Sequence, residues 1–280
     1  MIHAASFPTE LRFRTVHGSH LSVHYPRGLE APARRVLALG EEILAGHQAR
    51  YGTRIRRVHV VLADVEDDPN GFASPLPYPL VHLRLVAPSG TDELGNYEEW
   101  MRALLAHELA HVVHLEQARG WWGVGRALLG RAPFLFPNAI TPTWTIEGLA
   151  TYEETEGTAF GRGRDPDSRM VVRMEALERG LPREDEPVLG LDRWPGGTAG
   201  YLFGQSFLRN TEDRFGPEAL PRLARSHAGE TIPYLDEVTF KRVTGQGLHG
   251  RWEEWRAELG EELQGQADVS AARGRTEWPP

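Results

Sequence analysis

The sequence predicts an α+β fold, and three observations lead to that prediction. Its 280 residues, 40% of them apolar and 25% charged, are enough to bury the core of a globular protein. Alternating apolar and polar positions, typical of strands, are found up to residue 87. Helical spacing dominates from about residue 97, and strands followed by helices favour α+β over alternating α/β.

The N-terminal part is predicted to form a sheet and one helix. Residues 11–25 alternate around a His-Gly-Ser turn and predict a hairpin, and residues 30–50 have apolar positions at helical spacing. Residues 57–63 and 80–87 predict two further strands, joined by a proline-rich loop over 64–79. We expect the helix and the strands to share one core.

The C-terminal part is predicted to be helical. A long helix is expected over 97–118 and leads into an apolar, glycine-broken segment, 121–136. Five further helices are predicted at 143–155, 167–179, 199–214, 217–227 and 249–264. These elements divide the chain into an N-terminal α+β lobe (1–119), a helical lobe (120–266) and a tail or linker (267–280), with the two lobes forming one catalytic unit.

Composition excludes several classes of function. The net charge of −8 argues against a nucleic-acid partner, because binding there needs a concentrated basic surface. The chain contains no cysteine, so any metal must be bound by histidine and carboxylate side chains. We find no apolar run of about 18 residues that could span a membrane, and no signal peptide is visible at the start.

Residues 106–114 read Ala-His-Glu-Leu-Ala-His-Val-Val-His and predict a catalytic zinc site. His107 and His111 are four residues apart, so both imidazoles lie on one helix face and can bind one ion. Glu108 projects from a different side of the helix than the two histidines, so it can act as general base toward a metal-activated water without being a ligand. The alternative is two surface histidines beside a glutamate by chance, but the leucines and valines around them predict a buried helix.

A third ligand must come from another part of the chain. Glu147 lies within an apolar helical segment, where a metal would explain its charge. A buried salt bridge or a charge near a helix N-terminus is the alternative. His114 is a weaker candidate, because it is turned away from the face that His107 and His111 share.

His-Glu-Leu-Ala-His followed by Trp-x-x-Glu-Gly-x-Ala resembles the gluzincin metallopeptidases, which include thermolysin and the aminopeptidase N group. More narrowly, residues 107–215 resemble the peptidase-like domain found ahead of TolB-type β-propellers in bacterial proteins. This resemblance implies a zincin-like fold, with an N-terminal mixed sheet, a zinc-binding helix and a C-terminal helical lobe. It implies Glu147 as third ligand, Zn²⁺ as cofactor, a possible C-terminal β-propeller in the full-length protein, and export to the periplasm or beyond.

The resemblance also singles out Tyr201. A Tyr-x-x-Gly element in the aminopeptidase N group supplies a phenol to the oxyanion, and Tyr201 and Gly204 match it. A tyrosine packed in the core is the alternative. Residues 80–87 would suit the edge strand that gluzincins place beside the cleft, the alternative being an interior strand. Arg162, Arg164, Arg169 and Arg173 could bind a substrate carboxylate, although we favour a solvated face.

Two departures from the aminopeptidase N pattern shape the functional prediction. The Gly-x-Met-Glu-Asn element that anchors a free amino terminus is missing, which weakens an exopeptidase interpretation. The segment 121–136 lengthens the gap before Glu147; it could form a cleft wall, a lid or a membrane-surface patch, and we favour a helical hairpin packed on the core.

We therefore predict a zinc-dependent endopeptidase acting on a peptide or protein substrate. The alternative is a binding or sensing module that keeps a peptidase fold within a larger exported propeller protein. A zinc hydrolase acting on a non-peptide amide or ester is a further, weaker interpretation.

Overall fold

A computed structural model describes residue 8 and residues 10–63, 70–86, 100–159, 161–230 and 235–272. Within these residues the protein contains one mixed five-stranded sheet followed by a largely helical part, so the α+β prediction is confirmed. Among the helices in the described ranges, none is long and apolar enough to cross a membrane.

The sheet has the strand order β1-β2-β3-β5-β4. Its strands are β1 (Phe13–His17), β2 (Leu21–Pro26), β3 (Val58–Ala63), β4 (Gly71–Ser74) and β5 (Leu80–Arg84). The two outer pairs, β1 with β2 and β4 with β5, are antiparallel, whereas β2, β3 and β5 run parallel. The predicted hairpin is therefore confirmed as β1 and β2. The strand predicted at 80–87 is β5, an interior strand, so the edge-strand interpretation of it is wrong.

The helices are α1 (Glu30–Tyr51), α2 (Trp100–Leu115), α3 (Gly120–Leu129), α4 (Thr143–Glu156), α5 (Pro166–Glu178), α6 (Ala199–Phe215), α7 (Ala219–His227), α8 (Asp236–Thr244) and α9 (Leu248–Ala272). β4 and α8 are absent from the sequence-based prediction, and α9 extends beyond its predicted end at 264. Both missed elements are short, four and nine residues, and give little periodic signal. The beginning predicted for α2, 97–99, and the end of the chain lie outside the described residues.

One face of the sheet forms the core of the N-terminal part. Val23, Val60 and Val81 are paired across three neighbouring strands and are fully buried. α1 packs against β2, and α2 packs against α1, β4 and β5. The opposite face carries polar side chains such as His24 and His59, whose rings stack with centroids 5.2 Å apart. This two-layer arrangement places α2 beside the edge strand β4.

The prediction that the segment 121–136 packs on the core is wrong for α3. None of the residues of α3 is buried, and Trp121, Leu128 and the nearby Phe134 are 76%, 78% and 66% exposed. Only the end of the segment is covered, where Leu135 and Phe136 are buried. An added Cβ at Gly125 would lie 2.8 Å from Leu135 Cδ2, so this glycine lets Leu135 pack directly against α3.

The helices α4 and α6 make the closest helix–helix approach that bears on the site. An added Cβ at Gly148 would lie 2.5 Å from the carbonyl carbon of Gly204, and one at Gly204 would overlap the backbone of Trp144. The two glycines therefore let the backbones touch without intervening side chains. Behind this contact, Trp144, Phe207 and Trp252 form an aromatic cluster with centroid separations of 4.5–5.5 Å.

We expect Gly148→Ala to lower the free energy of unfolding by about 1–3 kcal/mol, because the added methyl group overlaps the α6 backbone. Gly46→Ala is the matched control: Gly46 is also inside a helix, but nothing lies within 4 Å of its added Cβ. The control substitution should raise the free energy of unfolding by about 0.5–1 kcal/mol, because alanine has the higher helix propensity. Urea unfolding measures both, and equal effects would contradict the packing argument.

Candidate active site and metal centre

Two histidines of α2 face each other at the centre of the candidate site. The Nε2 atoms of His107 and His111 are 3.1 Å apart, and both side chains are buried. The spacing of four residues brings them onto one side of the helix, as the sequence predicts.

Glu147 reaches this pair from α4. Its Oε2 atom lies 3.4 Å from His107 Nε2 and 3.2 Å from His111 Nε2. Burial alone would raise the pKa of the Glu147 carboxyl, but the charge of His111 and the close ring nitrogens of both histidines hold it well below its usual range. The carboxylate is therefore ionised beside two imidazoles. The structure thus brings the three predicted ligands together.

The donor set fits a metal ion of the zinc type. Glu147 Oε2 is buried and has no hydrogen-bond partner, although two ring nitrogens lie close to it. Two imidazole nitrogens and one carboxylate oxygen are the protein ligands of many catalytic zinc sites. Elsewhere in the described ranges one similar group exists, Glu184, His249 and Glu253, but its histidine is exposed and already hydrogen-bonded to Glu184.

Glu154 fixes the orientation of His107. Its Oε2 atom is 3.1 Å from His107 Nδ1, the ring nitrogen that faces away from His111 and Glu147. Arg162 binds the same carboxylate, with NH2 2.7 Å from Oε2, and counters the effect of burial so that the Glu154 pKa is about 2. A carboxylate behind a ligand histidine sets its tautomer and increases its basicity.

Neither Glu154 nor this role of Arg162 is among the sequence-based predictions. A signal was present, because Glu154 follows Glu147 by seven residues, about two helical turns, and so lies on the same face of α4. The solvated-face interpretation is wrong for Arg162, whose side chain is 9% exposed, whereas Arg164, Arg169 and Arg173 are exposed.

Glu108 lies beside the histidines and is buried. Its Oε2 atom has no hydrogen-bond partner, and its Oε1 atom is 3.0 Å from the position of an added Cβ on Gly71 in β4. Burial raises the pKa of the Glu108 carboxyl to about 7. Glu108 and Glu147 are thus neighbouring carboxyl groups with opposite pKa shifts, as expected for a base and a ligand.

Tyr201 of α6 completes the cluster. Its ring stacks on His107, with centroids 6.0 Å apart and an interplanar angle of 16°, and the guanidinium of Arg162 lies 4.9 Å from its centroid. Burial and the carboxylates of Glu147 and Glu108 raise the pKa of the Tyr201 phenol, so the hydroxyl keeps its proton at neutral pH. Tyr201 therefore lies next to the predicted ligands.

His114 does not lie with the three predicted metal ligands. It is buried one turn further along α2, and burial lowers its pKa to about 3, so the ring is neutral. Its neighbours include Thr145 and His227. The sequence-based preference for Glu147 over His114 as third ligand therefore stays the better-supported prediction.

Comparison with known proteins shows which fold the chain shares with solved structures. No protein-family model matches the chain, and no curated protein matches its sequence. The M1 zinc metallopeptidase from Deinococcus radiodurans is similar in structure, with a TM-score of 0.52 at 18% sequence identity. A variant of that enzyme gives a TM-score of 0.51 at 17% identity. Both matches cover 88% of this chain and 52% of the other, so the chain spans about half the length of these proteins.

These matches show a fold shared with M1 zinc metallopeptidases. They agree with the coarser part of the predicted resemblance, a peptidase fold of the M1 type. The narrower resemblance to the domain that precedes TolB-type propellers stays a prediction.

We expect Glu154→Gln to weaken zinc binding about 10- to 100-fold, because the amide cannot hold His107 as a carboxylate does. Competition with a chromophoric chelator measures the affinity. Glu156→Gln removes an exposed carboxylate on the same helix that pairs with Arg164, and should leave zinc affinity unchanged. Equal affinities for the two variants would contradict the role given to Glu154.

Proposed function

We propose that this protein is a zinc-dependent peptidase, with His107, His111 and Glu147 as metal ligands. The observation that carries the proposal is the convergence of the three side chains, whose ligand atoms lie within 4.8 Å of one another. The similarity in fold to an M1 zinc metallopeptidase supports it. Zinc bound by two imidazoles and a carboxylate lowers the pKa of water and polarises carbonyl oxygens, which is the chemistry the ion would supply.

Glu108 is the proposed general base. It is buried next to His107 and has an oxygen without a hydrogen-bond partner, so it can accept a proton from an attacking water. The same carboxyl group can then pass that proton to the leaving amine.

Tyr201 is the proposed stabiliser of the oxyanion. Its hydroxyl is protonated at neutral pH and belongs to a ring that stacks on a ligand histidine. A phenol in that position can donate a hydrogen bond to the negative charge that develops on the carbonyl oxygen.

The peptide substrate is proposed to lie along β4. This strand ends the sheet in the described part of the chain, and Gly71 at its start contacts Glu108. An extended peptide can add to such an edge through backbone hydrogen bonds. The missing Gly-x-Met-Glu-Asn element favours cleavage at internal bonds. Export and a following propeller domain stay predictions from the resemblance.

We expect Glu108→Gln to keep zinc and to lose hydrolysis, with kcat lower by about 10²- to 10⁴-fold. Zinc content and cleavage of a peptide library are measured together, with and without chelator. Glu42→Gln, an exposed carboxylate that pairs with Arg102, is the control and should stay active. Cleavage of peptides by the Glu108 variant would contradict this mechanism. A native protein that binds zinc but cleaves no peptide would favour the binding module.

We expect Tyr201→Phe to reduce kcat by about 10²- to 10³-fold with little change in KM or zinc content, because one oxyanion donor is lost. Steady-state kinetics on a cleaved library peptide separate kcat from KM. Tyr25→Phe, which removes a hydroxyl from the sheet, is the matched control. An unchanged kcat for the Tyr201 variant would assign that residue to packing alone.

A further inference from the structure

A groove between α5, α6 and α9 carries an unusual concentration of arginine. It has a volume of about 360 Å³ and is lined by Arg162, Arg164, Arg169, Arg173 and Arg209. Among the described residues that line it, Glu262 is the one acidic side chain. Such a concentration of positive charge stands out in a protein whose net charge is −8.

Three of these arginines lack a close carboxylate partner. Arg169 makes no ion pair within the described residues, and Arg173 binds the amide oxygen of Gln266 at 3.1 Å. Arg209 lies 3.9 Å from Glu156 and 3.8 Å from Asp213, at the outer limit of an ion pair. Uncompensated guanidinium groups around a concave surface attract anions.

The other two arginines are neutralised by the protein itself. Arg162 is bound to Glu154, and Arg164 NH2 lies 2.9 Å from Glu156. Counting Glu154, Glu156, Asp213 and Glu262, five positive charges face four negative ones, so the groove keeps a net positive charge. The groove can therefore attract an anion.

A buried amide donor independently points to a ligand in the groove. Gln205 of α6 is 5% exposed and lines the groove, and its Nε2 atom is buried without a hydrogen-bond partner. A buried N–H donor left unpaired is unfavourable, and such donors are rare in folded proteins. Rotation of the terminal amide would bring this donor into the groove, where an oxygen atom of a bound anion would satisfy it.

We propose that this groove binds a small multivalent oxyanion, of the chemical class of inorganic phosphate or a polycarboxylate. Guanidinium groups match the oxygens of phosphate and carboxylate in pairs, and Gln205 would donate one further hydrogen bond. The site is distinct from the metal centre, because Arg162 contacts His107 at Nδ1 and not at the Nε2 atom that faces Glu147. The proposal does not depend on peptidase activity.

Calorimetric titration with inorganic phosphate tests this site in the full chain, zinc-loaded and again after chelation, at constant ionic strength. We expect one saturable site in both forms, from which citrate displaces phosphate. Arg169→Ala and Arg173→Ala should each weaken phosphate binding about tenfold, because each removes a charged donor. Arg222→Ala is the matched control, since Arg222 is an exposed arginine on α7 outside the groove.

A second variant, Gln205→Leu, leaves the charges of the groove arginines unchanged. It should weaken phosphate binding and leave the unfolding temperature the same or higher, because the Nε2 atom loses no intramolecular bond. The proposal is overturned if phosphate shows no saturable binding, if binding disappears with the zinc, or if citrate does not compete. Equal weakening by Arg222→Ala and Arg169→Ala would also overturn it, because the attraction would then be non-specific.

Discussion

The contact between Gly148 and Gly204 determines how the candidate site is assembled. Each glycine follows a residue of the site, Glu147 directly and Tyr201 by three positions, so the backbone contact brings both side chains to one place. A methyl group on either glycine would push the helices apart. The short motifs Glu-Gly and Tyr-x-x-Gly thus have a packing role as well as a chemical one.

Burial and charge then give the clustered carboxyl groups different properties. Glu154 is buried and Glu147 is half-buried, but both face cationic or proton-donating partners, so their pKa values are lowered. Glu108 is buried too, and His111 and Arg162 offset its burial only in part, so its pKa is raised to about 7. The neighbouring Glu153 turns the other way and binds Arg50 and Tyr51 of α1, which ties α4 to the N-terminal helix.

Sequence patterns predicted those parts of the molecule that depend on local periodicity. The histidine pair, the hairpin and the central strands follow from spacing alone, and the structure brings Glu147 and Tyr201 to the histidine pair. What could not be predicted depends on tertiary contacts. β4 is four residues long within a proline-rich loop, and the ion pair of Glu154 with Arg162 joins residues whose proximity only the folded chain establishes.

The exposed apolar face of α3 has a practical consequence for protein engineering. Trp121, Leu128 and Phe134 contribute little to the core, so replacing them with polar residues should cost little folding free energy. Arg126, in contrast, binds the carbonyl groups of Leu115 and Leu135 and has to be kept. The surface of this segment can thus be redesigned for solubility at little cost in stability.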